Sequence, residues 1–149
     1  ERHHATGRIG LGLIDGYTAE GSFMEGALAT SVSHDAHNII VAGDSDADMA
    51  LAVNTVRDIG GGMCAVKKGS VIATLALPIA GLMSDQPALS VAQKKCLFRE
   101  AAVRELSIAE GVNPAMTLSF MALTAIPQIR ITDRGLFDAE KFAFIDEKR

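Results

Sequence analysis

Two strand-like segments joined by a four-residue turn constrain the fold of this chain more than any other feature. Residues 63–66 and 71–77 are rich in apolar and β-branched residues, and the link between them is Lys67-Lys68-Gly69-Ser70. A short loop that contains glycine between two such segments predicts an antiparallel β-hairpin. The fold is therefore predicted to include an antiparallel sheet.

Further strands and three helices are predicted on either side of this hairpin. The predicted strands cover residues 8–15, 27–32, 38–42, 129–131 and 142–145, with a turn over 132–138, and the predicted helices cover residues 49–59, 84–110 and 113–123. Strands and helices do not alternate strictly, and no repeat or linker divides the chain. Residues 1–149 are therefore predicted to form a single layered α+β domain, in which helices pack on a mixed, largely antiparallel sheet.

Periodicity also predicts which faces are buried. The β-branched run at residues 38–42 indicates a strand covered on both faces, and residues 116–123 are apolar nearly all round, which predicts a central helix. On the long helix, the residues expected in the core are Leu89, Ala92, Cys96, Val103 and Leu106, and those expected in solvent are Lys94, Lys95, Arg99 and Glu100.

Composition excludes several classes of function. The net charge is -4 and the 14 basic residues are scattered, so no positive stripe is available to bind nucleic acid. No apolar run reaches the roughly 18 residues of a membrane span, and the two cysteines are expected to be buried thiols of a soluble, cytoplasmic protein. The chain begins without an initiator Met, so we expect it to be a piece of a longer polypeptide.

A dense polar cluster, residues 33–38, lies just before the predicted strand 38–42. It holds two imidazoles, a carboxylate, a hydroxyl and an amide, and such a cluster at the mouth of a strand is a candidate functional site. In an extended chain, Ser33, Asp35 and His37 share one face, and His34 and Asn38 share the other. An Asp35–His37 pair that fixes the imidazole tautomer is one interpretation, and a capped turn that satisfies buried backbone groups is the other.

Other chemical motifs in the chain favour structural roles. Asp44, Asp46 and Asp48 resemble the start of a calcium loop, but Met49 and Thr55 occupy the positions that need Gly and Glu, so an acidic helix N-terminus is preferred. The glycines at residues 7–12 and 60–62 do not open a helix, so they do not predict a phosphate loop. A small metal enzyme built on His3, His4, His34 and His37 lacks carboxylate or thiol ligands at convincing spacing.

Six blocks of the sequence resemble the C-terminal domain of bacterial adenine deaminase. The longest is SHDAHNIIVAG at residues 33–43, and the resemblance covers nearly the whole chain in order. The blocks are residues 3–7, 33–43, 60–62, 77–84, 113–120 and 132–138. The chain departs from the family pattern between residues 16 and 26 and in the order of Ser33 and Ala36, which leaves adenine and a related aminopurine as alternative substrates.

The resemblance implies a metal-dependent hydrolase of the amidohydrolase superfamily that converts adenine and water to hypoxanthine and ammonia. In that family, manganese or iron is held by a (β/α)₈ barrel, which needs about 250 residues. The barrel is absent from this chain, so the resemblance implies an accessory domain that carries no metal and is inactive alone. This domain is expected to pack on the barrel. The complete enzyme is expected to be a cytoplasmic homo-oligomer that acts in purine salvage and adenine catabolism.

Two roles remain open for the chain within this family. In the first, the polar cluster of Ser33, His34, Asp35, His37 and Asn38 lies near the substrate at the mouth of the barrel. In the second, the chain is a non-catalytic binding or assembly domain, and residues 116–123 and 77–83 form an apolar interface.

Overall fold

Seven strands and three helices make up the fold of residues 1–145, which are the residues that the computed structural model describes. The strands are β1 (Ala27–Thr30), β2 (Ile40–Gly43), β3 (Gly62–Lys67), β4 (Ser70–Ala76), β5 (Ile129–Thr132), β6 (Gly135–Asp138) and β7 (Ala143–Phe144). The helices are α1 (Asp46–Asp58), α2 (Ala88–Glu105) and α3 (Pro114–Phe120).

The strands form two sheets, and the predicted hairpin is part of the larger one. That sheet has the order β2-β1-β3-β4, and the smaller sheet has the order β5-β6-β7. Every strand pair within residues 1–145 is antiparallel, including the predicted hairpin β3–β4. The α+β class is thus confirmed, and the mixed sheet that was expected is antiparallel throughout the described strands.

The larger sheet lies between helices, because alternate residues of its strands enter different apolar clusters. Ala29 and Cys64 pack with Ala52 and Val56 of α1 on one face. Leu28 and the other residues of the second cluster face α2 and α3 on the opposite side. Residues of β2 also divide between the two clusters, which confirms that this strand is covered on both faces.

Helix α1 begins three residues before the predicted segment 49–59, inside the acidic run, and ends one residue before the end of that segment. Ser45 is the N-cap, and its side chain accepts a hydrogen bond from the Asp48 N–H. Asp46 and Asp48 lie in the first turn, so the acidic N-terminus is confirmed. The helix ends before a run of glycines, and Gly62 has a φ of +128° and would bring a Cβ within 1.9 Å of the Leu75 carbonyl oxygen, so the chain can turn into β3 only with glycine there.

The prediction for α2 is wrong about its length and about part of its buried face. Leu106 is buried and Val103 is half-buried against the core, as expected, and the four residues expected in solvent, Lys94, Lys95, Arg99 and Glu100, are exposed. The helix runs over Ala88–Glu105 instead of 84–110, and it buries Phe98 and Ala102. Leu89, Ala92 and Cys96, which were expected in the core, are exposed. The helix has apolar residues on opposite sides, so periodicity alone does not select a face, and packing against β4 decides it.

The predicted strand over residues 8–15 is also wrong, because this segment has no strand pairing within the described structure. Helix α3 is shorter than expected and only partly central, since Ala115 and Leu118 are buried and Met116 is exposed. Cys64 is buried as expected. No helix within residues 1–145 has the length and apolar character needed to cross a bilayer.

Candidate functional site

The polar cluster forms a compact turn between β1 and β2 instead of the extended segment that was expected. Residues 34–36 are the turn, and the His37 N–H donates a hydrogen bond of 2.6 Å to the Ser33 carbonyl oxygen. His37 has a φ of +51°, in the left-handed region. The turn places the His34 and His37 rings together, with centroids 5.4 Å apart, although the extended pattern predicts them on opposite faces.

Helix α3 supports the His34 side of this turn. The His34 N–H donates a 2.9 Å hydrogen bond to the carbonyl oxygen of Ser119. The His34 ring stacks on the Phe120 ring at a centroid distance of 4.9 Å and an interplanar angle of 22°. Contact with the helix therefore fixes both the backbone and the ring of His34.

His37 is held as a neutral imidazole. Its Nδ1 accepts a 3.3 Å hydrogen bond from the Ser33 N–H, so Nδ1 is unprotonated and Nε2 carries the hydrogen. Burial lowers the pKa of His37, and the neighbouring His34 and Arg2 lower it further. The ring therefore remains neutral at pH 7, with Nε2–H as a hydrogen-bond donor.

The predicted Asp35–His37 pair is not formed. Asp35 is exposed, and within the described residues no hydrogen bond or ion pair joins its carboxylate to His37. The alternative interpretation, a capped turn, matches the hydrogen bond that His37 accepts from the Ser33 backbone. The extended-chain argument failed because the turn changes the direction of every side chain after Ser33.

Two residues that the cluster itself does not reveal, Arg2 and His3, complete the site. The Arg2 guanidinium donates hydrogen bonds to the carbonyl oxygens of His37 and Ala80, the latter at 2.9 Å. The Arg2 N–H donates to Asn38 Oδ1 at 3.3 Å, and the His3 ring is hydrogen-bonded to the Ala36 carbonyl oxygen. More than 30 residues separate Arg2 and His3 from their partners in the turn. In the sequence, the only signal for this contact is the family-like block at residues 3–7.

Glu1 gives the N-terminal segment a defined shape beside the turn. Its carboxylate accepts hydrogen bonds from the backbone N–H groups of His3, His4 and Thr6. The N–H groups of His4 and Thr6 are the main reason that the pKa of Glu1 falls to about 2. This carboxylate is therefore ionised at any ordinary pH, and it holds residues 3–6 in a loop next to Arg2.

The floor beneath the turn is a buried hydrogen-bond network around Ser31. Its Oγ accepts a 2.7 Å hydrogen bond from the Gly62 N–H and donates one of 2.6 Å to the Gly81 carbonyl oxygen. A Cβ on Gly81 would lie 2.9 Å from that Oγ, so glycine permits the close approach. Segments 60–62 and 77–84 are thereby fixed against the chain that leads into Ser33.

The site therefore gathers side chains from three segments, residues 1–3, 31–38 and 119–120, and backbone groups of Gly62 and Gly81. Its chemical groups are a neutral imidazole, a second imidazole stacked on an aromatic ring, an exposed carboxylate and an amide. These groups can donate and accept hydrogen bonds to a polar ligand. Within residues 1–145, no set of three or more His, Cys, Asp or Glu side chains is arranged to hold a metal ion.

Comparison with known proteins gives consistent matches over almost the whole chain. The family model for the adenine deaminase C-terminal domain matches residues 1–143. The adenine deaminase of Nitratidesulfovibrio vulgaris strain DP4 is 49% identical over 144 residues, which are 97% of this chain and 24% of that protein. The adenine deaminases of Desulfatibacillum aliphaticivorans and Halalkalibacterium halodurans are 48% and 43% identical, over 97% and 99% of this chain and 24% of each protein.

Proposed function

Since the chain belongs to the family of adenine deaminase C-terminal domains, we propose that it is the accessory domain of a metal-dependent adenine deaminase. The proposed reaction joins water to adenine and releases hypoxanthine and ammonia. The observation that carries this proposal is the 49% identity over 97% of the chain, in a region that is only 24% of the relative. The remaining part of the enzyme is then the catalytic part.

The catalytic part is proposed to be an amidohydrolase barrel with manganese or iron, in a cytoplasmic enzyme of purine salvage and adenine catabolism. A bound metal of this kind lowers the pKa of water and supplies the hydroxide for hydrolysis. The metal ligands are placed in the barrel, as the family resemblance implies; within residues 1–145, no set of three or more His, Cys, Asp or Glu side chains is arranged to hold a metal ion. This domain contributes side chains and an interface.

The family-like blocks support a role for the turn at residues 33–38. Residues from four other blocks or their borders contact the turn or its floor: Arg2 and His3, Gly62, Gly81, and Ser119 with Phe120. The turn itself is held by Arg2 and His3 on one side and by α3 on another, above the hydrogen-bonded floor at Ser31, so its polar groups have fixed positions. Fixed donors and acceptors are what an enzyme needs to orient a polar substrate.

The proposed contacts follow from the protonation states and exposure of the cluster. The neutral His37 ring presents Nε2–H, a donor suited to a ring nitrogen of the purine, and the exposed Asp35 carboxylate can accept from an amino group. His34 supplies a flat ring, Ser33 fixes His37, and Asn38 fixes Arg2. The cluster then lies near the mouth of the barrel, with adenine or a related aminopurine as substrate.

The test is a turnover measurement on the complete enzyme that carries this sequence. Asp35→Ala and His37→Ala are expected to lower kcat for adenine by about 10-fold or more, as the loss of substrate-positioning groups does. Asp85→Ala, another exposed carboxylate, is the matched control and should leave kcat unchanged. If both cluster variants keep the wild-type kcat, KM and melting temperature, the substrate-proximal role is wrong.

A non-catalytic assembly role is the second candidate, and exposed apolar side chains favour it. Ile79 and Met83 lie in the predicted interface segment 77–83, Met116 lies on α3, and all three are exposed. The proposed enzyme is then a homo-oligomer held together by these side chains. Met83→Ser should lower the oligomer mass in light scattering, and an unchanged mass for Met83→Ser and Met116→Ser would contradict this role.

A further inference from the structure

Three apolar side chains near the start of the chain point away from the rest of the protein. Ile9, Leu11 and Leu13 are 78%, 76% and 105% exposed. Single exposed apolar residues are common on protein surfaces, but three at alternate positions form a continuous apolar edge. Within residues 1–145, no other part of the chain covers this apolar edge.

The glycines between these residues fix the orientation of the segment. A Cβ on Gly10 would lie 1.8 Å from the Thr132 carbonyl oxygen, and one on Gly12 would lie 3.1 Å from the Leu136 side chain. At Gly10 the backbone therefore approaches β5 so closely that only glycine fits, and at Gly12 a larger residue would displace the Leu136 side chain by a few tenths of an ångström. An ion pair of 3.6 Å between Arg8 and Asp133 anchors the start of the segment.

The backbone polar groups of this segment are also unpaired. Within residues 1–145, no N–H or C=O group of residues 9–14 takes part in a hydrogen bond. A row of unpaired backbone groups beside an apolar face is what an edge strand offers to a partner strand. The segment has the apolar alternation, the orientation and the free backbone groups of a strand, and it lacks only the partner.

We propose that residues 9–14 pair with polypeptide that precedes this domain in the complete protein, and that Ile9, Leu11 and Leu13 pack against it. This inference rests on the proposed function, in which the domain joins a larger catalytic part. The matched region is only 24% of each relative's length, so the relatives contain ample chain for this purpose. The Glu1 nitrogen lies 3.0 Å from the Arg8 carbonyl oxygen, so preceding chain enters beside the segment at high effective concentration.

The neighbouring surface extends the proposed interface. Leu13 and Ile14 line an open cleft of about 610 Å³, together with Met121, Ile129 and Arg130. Chain that pairs with residues 9–14 can therefore place side chains in this cleft as it leaves the strand. Asp15 and Glu140 also line the cleft, so it supplies apolar walls, one cation and two carboxylates. The apolar walls suit a segment with apolar residues.

Hydrogen exchange of the intact protein purified from its source tests the pairing, after its mass has been measured. The amides of residues 9–14 that point toward the partner strand, which are every second one, are expected to exchange about 100-fold or more slowly than those of an unstructured peptide. Exchange at the free-peptide rate would overturn the proposal, and so would an intact mass near 15.7 kDa, because no preceding chain would exist. Protection that disappears on dilution would overturn it as well, since the partner would be a second copy.

A pair of matched variants separates the pairing from general destabilisation. Leu11→Asp should abolish the protection of residues 9–14, whereas Leu89→Asp, at a side chain 72% exposed on α2, should leave it unchanged. Protection that survives Leu11→Asp would contradict the proposed packing. Wild-type turnover of adenine is measured on the same sample, so active enzyme with unprotected residues 9–14 would refute the pairing and leave the proposed function standing.

Discussion

Asp48 and His37 both accept hydrogen bonds from backbone N–H groups in a turn, but they differ in burial and in the number and length of these hydrogen bonds. The Asp48 residue is 6% exposed, and its two oxygens accept from the N–H groups of Lys68 and Gly69 at 2.9 Å and 2.8 Å. The His37 ring is half-buried and accepts one longer hydrogen bond, 3.3 Å, from Ser33. Both oxygens of the buried Asp48 side chain are hydrogen-bonded within the fold, whereas the His37 ring keeps its second nitrogen, Nε2, available.

This difference distinguishes a structural polar group from a candidate functional one. A buried carboxylate must have its hydrogen bonds satisfied, because an unpaired buried charge is costly. Asp48 therefore fixes the β3–β4 turn against α1, and its burial keeps it away from any ligand. A half-buried imidazole at an open turn contributes little to stability and can still bind.

Asp48→Ala is expected to give the largest effect on stability. It leaves the N–H groups of Lys68 and Gly69 without their acceptors, which lowers the free energy of unfolding by about 2–3 kcal/mol. Urea denaturation of the wild type and the variant measures this loss. Asp48→Asn retains one acceptor oxygen and should lose about half as much, and a loss under 0.5 kcal/mol for Asp48→Ala, about the size of a surface substitution, would refute the structural role.

Arg2→Ala is expected to have an intermediate effect. The variant loses the side-chain hydrogen bonds to the carbonyl oxygens of His37 and Ala80, which lowers the free energy of unfolding by about 1 kcal/mol, because the group is only half-buried. Thermal unfolding measures the change, and Arg99→Ala, at an exposed position on α2, is the control. Equal melting temperatures for the two variants would show that Arg2 does not brace the turn.

Phe120→Leu is expected to have a smaller effect, of about 0.5–1 kcal/mol, because it removes the aromatic stack under His34. Phe23→Leu, at an exposed phenylalanine, should change the free energy of unfolding less. The chemical shifts of the His34 ring report the contact directly by NMR. A His34 spectrum that is unchanged in Phe120→Leu would contradict the stacking.

The smallest expected effect is a dependence of stability on pH that comes from His37. Burial holds its pKa in the folded protein below the usual 6.5, so the unfolded chain binds more protons between these two values. The contribution of His37 to stability is therefore complete above pH 6.5 and declines as the pH falls toward the folded pKa. His37→Asn should remove this decline from the pH profile of the melting temperature, and an unchanged profile would mean that the pKa of His37 is not lowered.

The sequence predicted local elements well where their signals lie within a few residues. The β3–β4 hairpin and the acidic N-terminus of α1 depend on short-range turn chemistry and on charges in the first helical turn, and the structure contains both. Part of the predicted buried face of α2 was wrong, because apolar residues lie on opposite sides of that helix. Only contact with β4 selects Phe98 over Leu89.

The candidate site also combines features that the sequence predicted with features that it did not predict. The polar composition of residues 33–38 indicated where to look, and the family-like blocks indicated which segments matter. The turn at residues 34–36, the meeting of His34 with His37 and the contacts of Arg2 were not predictable, because they depend on the hydrogen bond from His37 to Ser33 and on partners far away in the chain.

By itself, the sequence determined the family, the α+β class and the elements whose turns and caps are local, since backbone preferences and short hydrogen bonds act over a few residues. The tertiary structure decided which face of α2 is buried, that residues 9–14 approach β5 and β6 without a partner strand, and how the polar turn is braced. These outcomes depend on packing and hydrogen bonds between residues distant in sequence, and the energy of such contacts exists only when the chain has folded.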